Sequence, residues 1–136
     1  MASRSARPGT INTLALVAAT LFVLAASCDP ATSNYLSQVK HDTGGDPEAG
    51  RVKIRNYGCQ ACHTIPGVTG ADAWVGPPLL HWSRRMYIAG ELPNTPENLT
   101  RWIQHPPQIE PKTAMPDMGV TEQDSRDIAA YLYSLK

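Results

Sequence analysis

The stretch GCQACHTIPG, residues 58–67, constrains this chain more than any other. It packs two thiols and an imidazole, Cys59, Cys62 and His63, into five consecutive residues. Side chains set that close serve one partner or one reaction, and the surrounding fold has to present them together. The chain has 136 residues and one further cysteine, Cys28. It holds no second CxxC and no HxxxH pair.

Cys28 belongs to a different story. Arg4 and Arg7 precede a largely apolar run, Leu14 to Ala26, that ends in small residues and Cys28. Positive charge, apolar run and small residues together read as a bacterial secretory signal. The run is shorter than the roughly 20 apolar residues of a spanning helix. LAASC also resembles a lipobox, which makes residues 1–27 a lipoprotein-type signal peptide and Cys28 the lipid-bearing mature N-terminus. An uncleaved anchor and an ordinary signal with an incidental Cys28 remain open. All three place the rest of the chain outside the cytoplasm, so the chain is expected on the outer, periplasmic face of the cytoplasmic membrane in a bacterial envelope, held at its N-terminus. Without Arg4 and Arg7, ten Lys and Arg stand against twelve Asp and Glu. No basic run stands out, which argues against nucleic acid as a partner.

Residues 28–45 are polar and end in DTGG, which reads as a flexible linker. Stretched out, such a segment reaches roughly 60 Å, enough for a tethered domain to swing between neighbours. The folded domain is then 46–136. Asp46 is placed to cap a helix, Pro47 suits its first position, and the helix runs through Ile54 to about Tyr57. In NTPENLTRWIQHP, Thr95 caps, Pro96 starts, and Leu99, Trp102 and Ile103 share one face. Pro106 ends that helix. A last helix opens with TEQD and lines up Ile128, Leu132 and Leu135. A further short helix is expected over Ser83–Ile88. No period-2 strand is visible. The fold class is all-α, with three main helices and long Gly- and Pro-rich loops. Three short helices make a poor core for a domain of this size, so something else fills the middle.

Four chemistries use a cluster like 59–63. Structural zinc wants four Cys or His ligands, and a fourth is missing. A thioredoxin-like pair expects a βαβ setting. A cysteine nucleophile leaves the second cysteine unexplained. Covalent haem explains the spacing directly, since C-x-x-C-H is the attachment pattern of c-type haem. Two thioethers anchor the ring, the adjacent imidazole ligates the iron, and the apolar macrocycle supplies the missing core. Export also fits, because c-type haem is attached outside the bacterial cytoplasm.

From Glu48 to Lys136 the sequence resembles the class I c-type cytochromes. EAGRVKIRNYGCQACH is similar to their first helix and attachment site, VGPPL to the turn behind the proximal histidine, and LTRWIQHP to the helix flanking the haem. PKTAMPDMGV is similar to the segment carrying the distal methionine, and DIAAYLYSL to the C-terminal helix. The resemblance implies one haem c on Cys59 and Cys62, with His63 and Met115 as axial ligands. It implies that the Pro77 carbonyl orients His63, that Arg85 and Thr113 meet haem propionates, and that Trp102 packs against the ring. Arg84 can exchange roles with Arg85, and Met118 is the other candidate for the distal ligand. Met86 reads as a core residue, and His41, His81 and His105 as linker or surface histidines. Gly50 and Ile54 are expected to meet Tyr131 and Leu132.

Six-coordinate iron leaves no place for a substrate, so the implied role is an electron carrier rather than an enzyme. A quinol–cytochrome c oxidoreductase is the expected donor and a terminal oxidase the expected acceptor. The alternatives are a fixed subunit of a larger respiratory or dehydrogenase complex, and a gas-binding haem sensor with a labile Met115.

Overall fold

Helix starts in this chain carry strong local signals, and the computed structural model, which describes residues 30–136, places helices at them. Among the described residues these are α1 (Pro30–Thr43), α2 (Pro47–Asn56), α3 (Pro96–Gln104), α4 (Pro106–Ile109) and α5 (Glu122–Ser134). The first four begin on a proline, whose missing N–H is no loss in the first turn. Asp46 accepts from the amides of Glu48 and Ala49 at 3.0 and 3.2 Å. Thr95 accepts from Asn98 N at 3.3 Å and Thr121 from Asp124 N at 3.2 Å. Each such cap contributes about 1 kcal/mol. The signal-peptide segment 1–27 and Cys28 lie outside the described residues.

α2 and α5 cross so closely that backbone meets backbone. A Cβ on Gly50 would stand 1.9 Å from the Asp127 carbonyl oxygen, which only a glycine avoids. The crossing lies one turn before the expected Tyr131–Leu132 contact, at Asp127 and Ile128. Beside it Ile54 joins Ile128 and Leu132, with Leu99, Trp102 and Ile103 arriving from α3. Each of these aliphatic side chains, once buried, stabilises the fold by about 1.5–3 kcal/mol. Lys53 and Tyr57 close the crossing from the side, reaching Asp124 at 2.8 and 2.7 Å.

Three expectations are corrected. Within the expected flexible linker 28–45, residues 30–43 instead form a helix docked on α5. Ile128 to Leu132 are buried in succession, so α5 is covered on more than one face, and an all-round apolar helix needs more than one neighbour. Tyr35, Val39 and Thr43, four residues apart, form the docking stripe; Val39 and Thr43 are buried, and the Tyr35 hydroxyl donates to the Tyr133 carbonyl at 2.5 Å. Lys136 Nζ sits 3.5 Å above the Tyr35 ring. Second, Ser83–Ile88 is not a helix. One 3-10 turn, Trp82–Arg84, gives way to a two-residue strand β1 (Tyr87–Ile88) that pairs antiparallel with β2 (Leu92–Pro93). Ala89 at φ 52° and Gly90 at φ 81° make the turn between them, a conformation no helix continues. Third, Met86 is 77% exposed rather than core.

Candidate cofactor site around His63

α2 delivers the cysteine motif and then stops. Tyr57 N bonds back to Lys53 O at 2.9 Å, and Gly58 at φ 75° turns the chain. A 3-10 turn, Cys59–Ala61, follows, and the Cys59 carbonyl accepts from both Cys62 N and His63 N, at 3.2 and 3.1 Å. The three side chains therefore share one short turn. Cys59 and Cys62 are free thiols, both half-buried. Burial pushes the Cys59 thiol pKa up.

His63 Nδ1 lies 2.7 Å from the Pro77 carbonyl oxygen. A carbonyl can only accept, so Nδ1 carries the proton and Nε2 keeps its lone pair for a ligand bond. The loop that brings Pro77 is fixed at several points. Gly76 N donates to Cys62 O at 2.7 Å, Leu79 N to Thr64 O at 2.8 Å, and Thr64 Oγ1 to Ala73 O at 2.9 Å. From α5, the Tyr131 hydroxyl donates to Pro66 O at 2.5 Å. The sequence reading placed Gly76 in the turn behind the proximal histidine but gave it no role of its own. A Cβ there would stand 2.4 Å from Cε1 and 2.7 Å from Nδ1 of the imidazole, so the bare backbone of Gly76 forms the wall of the ring. The available signal was a glycine ahead of the Pro-Pro pair.

On the segment 110–120, Thr113 Oγ1 accepts from Met115 N at 3.2 Å, and Thr113 N donates to Glu110 O at 3.0 Å. The hydroxyl proton of Thr113 is still there to donate. Met115 is half-buried against the core, while Met118 is 43% exposed. Trp102 is buried from α3. The other histidines are engaged elsewhere: His81 with the Lys136 carbonyl, His105 with Asp117 and His41 with Asp42.

The arginine pair splits. Arg84 is exposed, whereas Arg85 turns inward, donates to the carbonyls of Pro78 and Leu80, and lies 4.9 Å from the Trp82 ring centroid. Burial lowers the Arg85 pKa, yet a guanidinium starts so high that it stays a cation. Trp82 itself is 5% exposed and its Nε1 has no acceptor among the described residues. An indole N–H can only donate, and leaving it unmet in the interior costs about 1–3 kcal/mol. A buried N–H beside an inward cation asks for an anionic acceptor such as a carboxylate. Trp82 is a residue missed by sequence reading, which had given its attention to Trp102.

Taken together the donors fit haem c. Two free thiols stand ready for thioethers, an imidazole has Nε2 open, a thioether sits half-buried on a separate loop, and Trp82 and Arg85 suit the propionates.

Comparisons with known proteins agree. The sequence model of the cytochrome c family matches residues 48–136. Cytochrome c oxidase subunit 2 of Alkalihalophilus pseudofirmus is 35% identical over 101 residues, which is 74% of this chain but 29% of that protein. The chain thus spans under a third of the length of this relative. No solved structure matched. A match that runs from the first turn of α2 to the last residue, across every element of the site, shows that the chain belongs to the cytochrome c family, electron-transfer proteins that carry covalently bound haem c.

Proposed function

We propose that the protein is a monohaem cytochrome c held at the periplasmic face of a bacterial cytoplasmic membrane through lipidated Cys28. It passes single electrons from a quinol–cytochrome c oxidoreductase toward a terminal oxidase and catalyses no reaction of its own. Bound haem c supplies a one-electron iron couple. Cys59 and Cys62 would hold it covalently, and His63 Nε2 and the Met115 thioether would ligate its iron. The Pro77 carbonyl fixes the His63 tautomer, and such outer bonds orient a ligand and raise its basicity. Arg85 would offset the charge of the propionates and the Trp82 N–H would donate to one, Thr113 shapes the Met115 turn, and Trp102 would wall the ring. Met115 as a ligand would raise the potential.

The observation that carries this reading is the His63 ring, pinned at 2.7 Å by Pro77 with its other nitrogen open, next to two free thiols. Trp74 and Val75, 78% and 79% exposed on the same loop, add apolar area for the small contacts of redox encounters. The test is the optical spectrum of protein matured with its own signal segment. Covalent haem is expected, with the weak far-red band of an iron–methionine bond. Met115→Ala should abolish that band and Met118→Ala should keep it. Covalent haem without the band, or a band that survives Met115→Ala, overturns the ligand assignment.

A second reading, a fixed subunit of a respiratory complex, is favoured by α1. That helix begins two residues after Cys28 and is docked on α5, which removes the slack a swinging carrier needs. The relative named as an oxidase subunit points the same way. Copurification with an oxidase at a fixed ratio in detergent supports this reading, and release in a mild salt wash refutes it.

A further inference from the structure

Trp82 and Arg85 sit on a stretch with little regular structure of its own. The chain leaves His81 at φ 50°, makes one 3-10 turn and reaches the short β1–β2 pair. No α-helical ladder fixes either residue. Asn94 does. Its Nδ2 donates to the carbonyl of Trp82 at 3.1 Å and of Arg85 at 3.0 Å. Its backbone N–H donates to Met86 O at 3.0 Å, and its Oδ1 accepts from the Tyr133 hydroxyl at 2.9 Å. Both amide functions of one side chain are thus engaged around the Trp82–Arg85 turn. Tyr133 comes from α5 and is half-buried; burial, with Glu97 nearby, pushes its phenol up to about 12. The hydroxyl therefore keeps its proton at any physiological pH and remains the donor. The Tyr133 backbone is tied in turn to α1 through Tyr35. Bonds run without a break from the docked helix to the backbone of Trp82 and Arg85.

We propose that Asn94 and Tyr133 are positioning residues for the carboxylate-binding pair Trp82–Arg85, and that through this pair they set the reduction potential of the bound haem. The inference rests on the haem reading above. A hydrogen bond and a cation at a propionate offset its negative charge. Less offset leaves more negative charge near the iron, which favours the ferric state and lowers the potential. A pair loosened by losing its support should therefore act like a pair deleted.

The experiment is a mutant cycle on matured holoprotein, with reduction potential and thermal midpoint both recorded. Tyr133→Phe is expected to lower the potential in the same direction as Trp82→Phe. The double variant should fall by less than the sum of the two single shifts, because coupled residues do not add. Asn94→Ser repeats the test if Tyr133→Phe matures poorly. Asp46→Ala, which removes a cap of α2, is expected to lower the midpoint and leave the potential unchanged. The proposal is overturned if Tyr133→Phe and Asn94→Ser lower only the midpoint, or if the two potential shifts simply add. Absence of covalent haem in the wild-type protein overturns the haem reading first, and the spectrum alone reveals it.

Discussion

At the α2–α5 crossing every force is internal. Gly50 lets two backbones touch, Asp127 accepts from Asp46 N at 2.9 Å and Gln123 Nε2 at 3.0 Å, and Ser125 donates to Glu122 O at 2.7 Å. The loops that carry His63, Trp82 and Met115 are built otherwise. They are pinned by scattered hydrogen bonds rather than by a packed pair of helices, among them Gly76 N to Cys62 O, Leu79 N to Thr64 O and Asn94 Nδ2 to Trp82 O. Among the described residues, the two buried side-chain polar atoms without a partner, Gln60 Oε1 and Trp82 Nε1, both lie on this side. The helical side is a self-sufficient core. The loop side carries the two free cysteines, the pinned His63 ring and both of these unpartnered atoms. A small domain with little apolar surface of its own gains stability when a bound cofactor substitutes for core residues.

The largest expected effect comes from breaking the helical side. Gly50→Ala puts a methyl inside the Asp127 carbonyl, and neither backbone can step aside without separating the helices. A loss of about 3 kcal/mol or more is expected in urea unfolding of the holoprotein. A loss below about 1 kcal/mol would mean that the crossing yields and the core is not rigid. Gly76→Ala tests the loop side. Its methyl meets the His63 ring at 2.4 Å, so the ring has to tilt. Stability should fall by about 1–3 kcal/mol, while the far-red band and the potential change as well. An unaltered spectrum would show that the loop gives instead of the ring.

The smallest expected effect is electrostatic. Lys53, and next the Tyr57 hydroxyl, hold the Asp124 carboxyl below the usual carboxylate range. A depressed folded pKa contributes stability above the unfolded value, and that stability is lost as pH falls through the folded one. Asp124→Asn should thus cost about 1 kcal/mol at neutral pH, less in acid, and flatten the acid limb of the stability profile. Equal losses at pH 7 and well below the usual carboxylate range would assign the bond a purely geometric role.

The same contrast governs what could be read in advance. α2, α3 and α5 announce themselves through Asp46–Pro47, Thr95–Pro96 and Thr121, because caps and first-turn prolines act over four residues. The attachment turn is legible for the same reason. The docking of α1 was hidden. Tyr35, Val39 and Thr43 stand at helical spacing, but among polar neighbours they look like a linker until α5 shows an uncovered face. Met86 and the β1–β2 turn were misread because a two-residue strand has no period to detect. The choice of Arg85 over Arg84 follows from which side chain turns inward.

By itself the sequence determined the starts of α2, α3 and α5 and the tight spacing of Cys59, Cys62 and His63, since each depends on neighbours along the chain. Tertiary structure alone decided the His63 tautomer, the wall made by Gly76, the unmet N–H of Trp82 and the covering of α5 by α1. Those depend on partners up to 98 residues apart, and a contact across that distance exists only once the chain has folded.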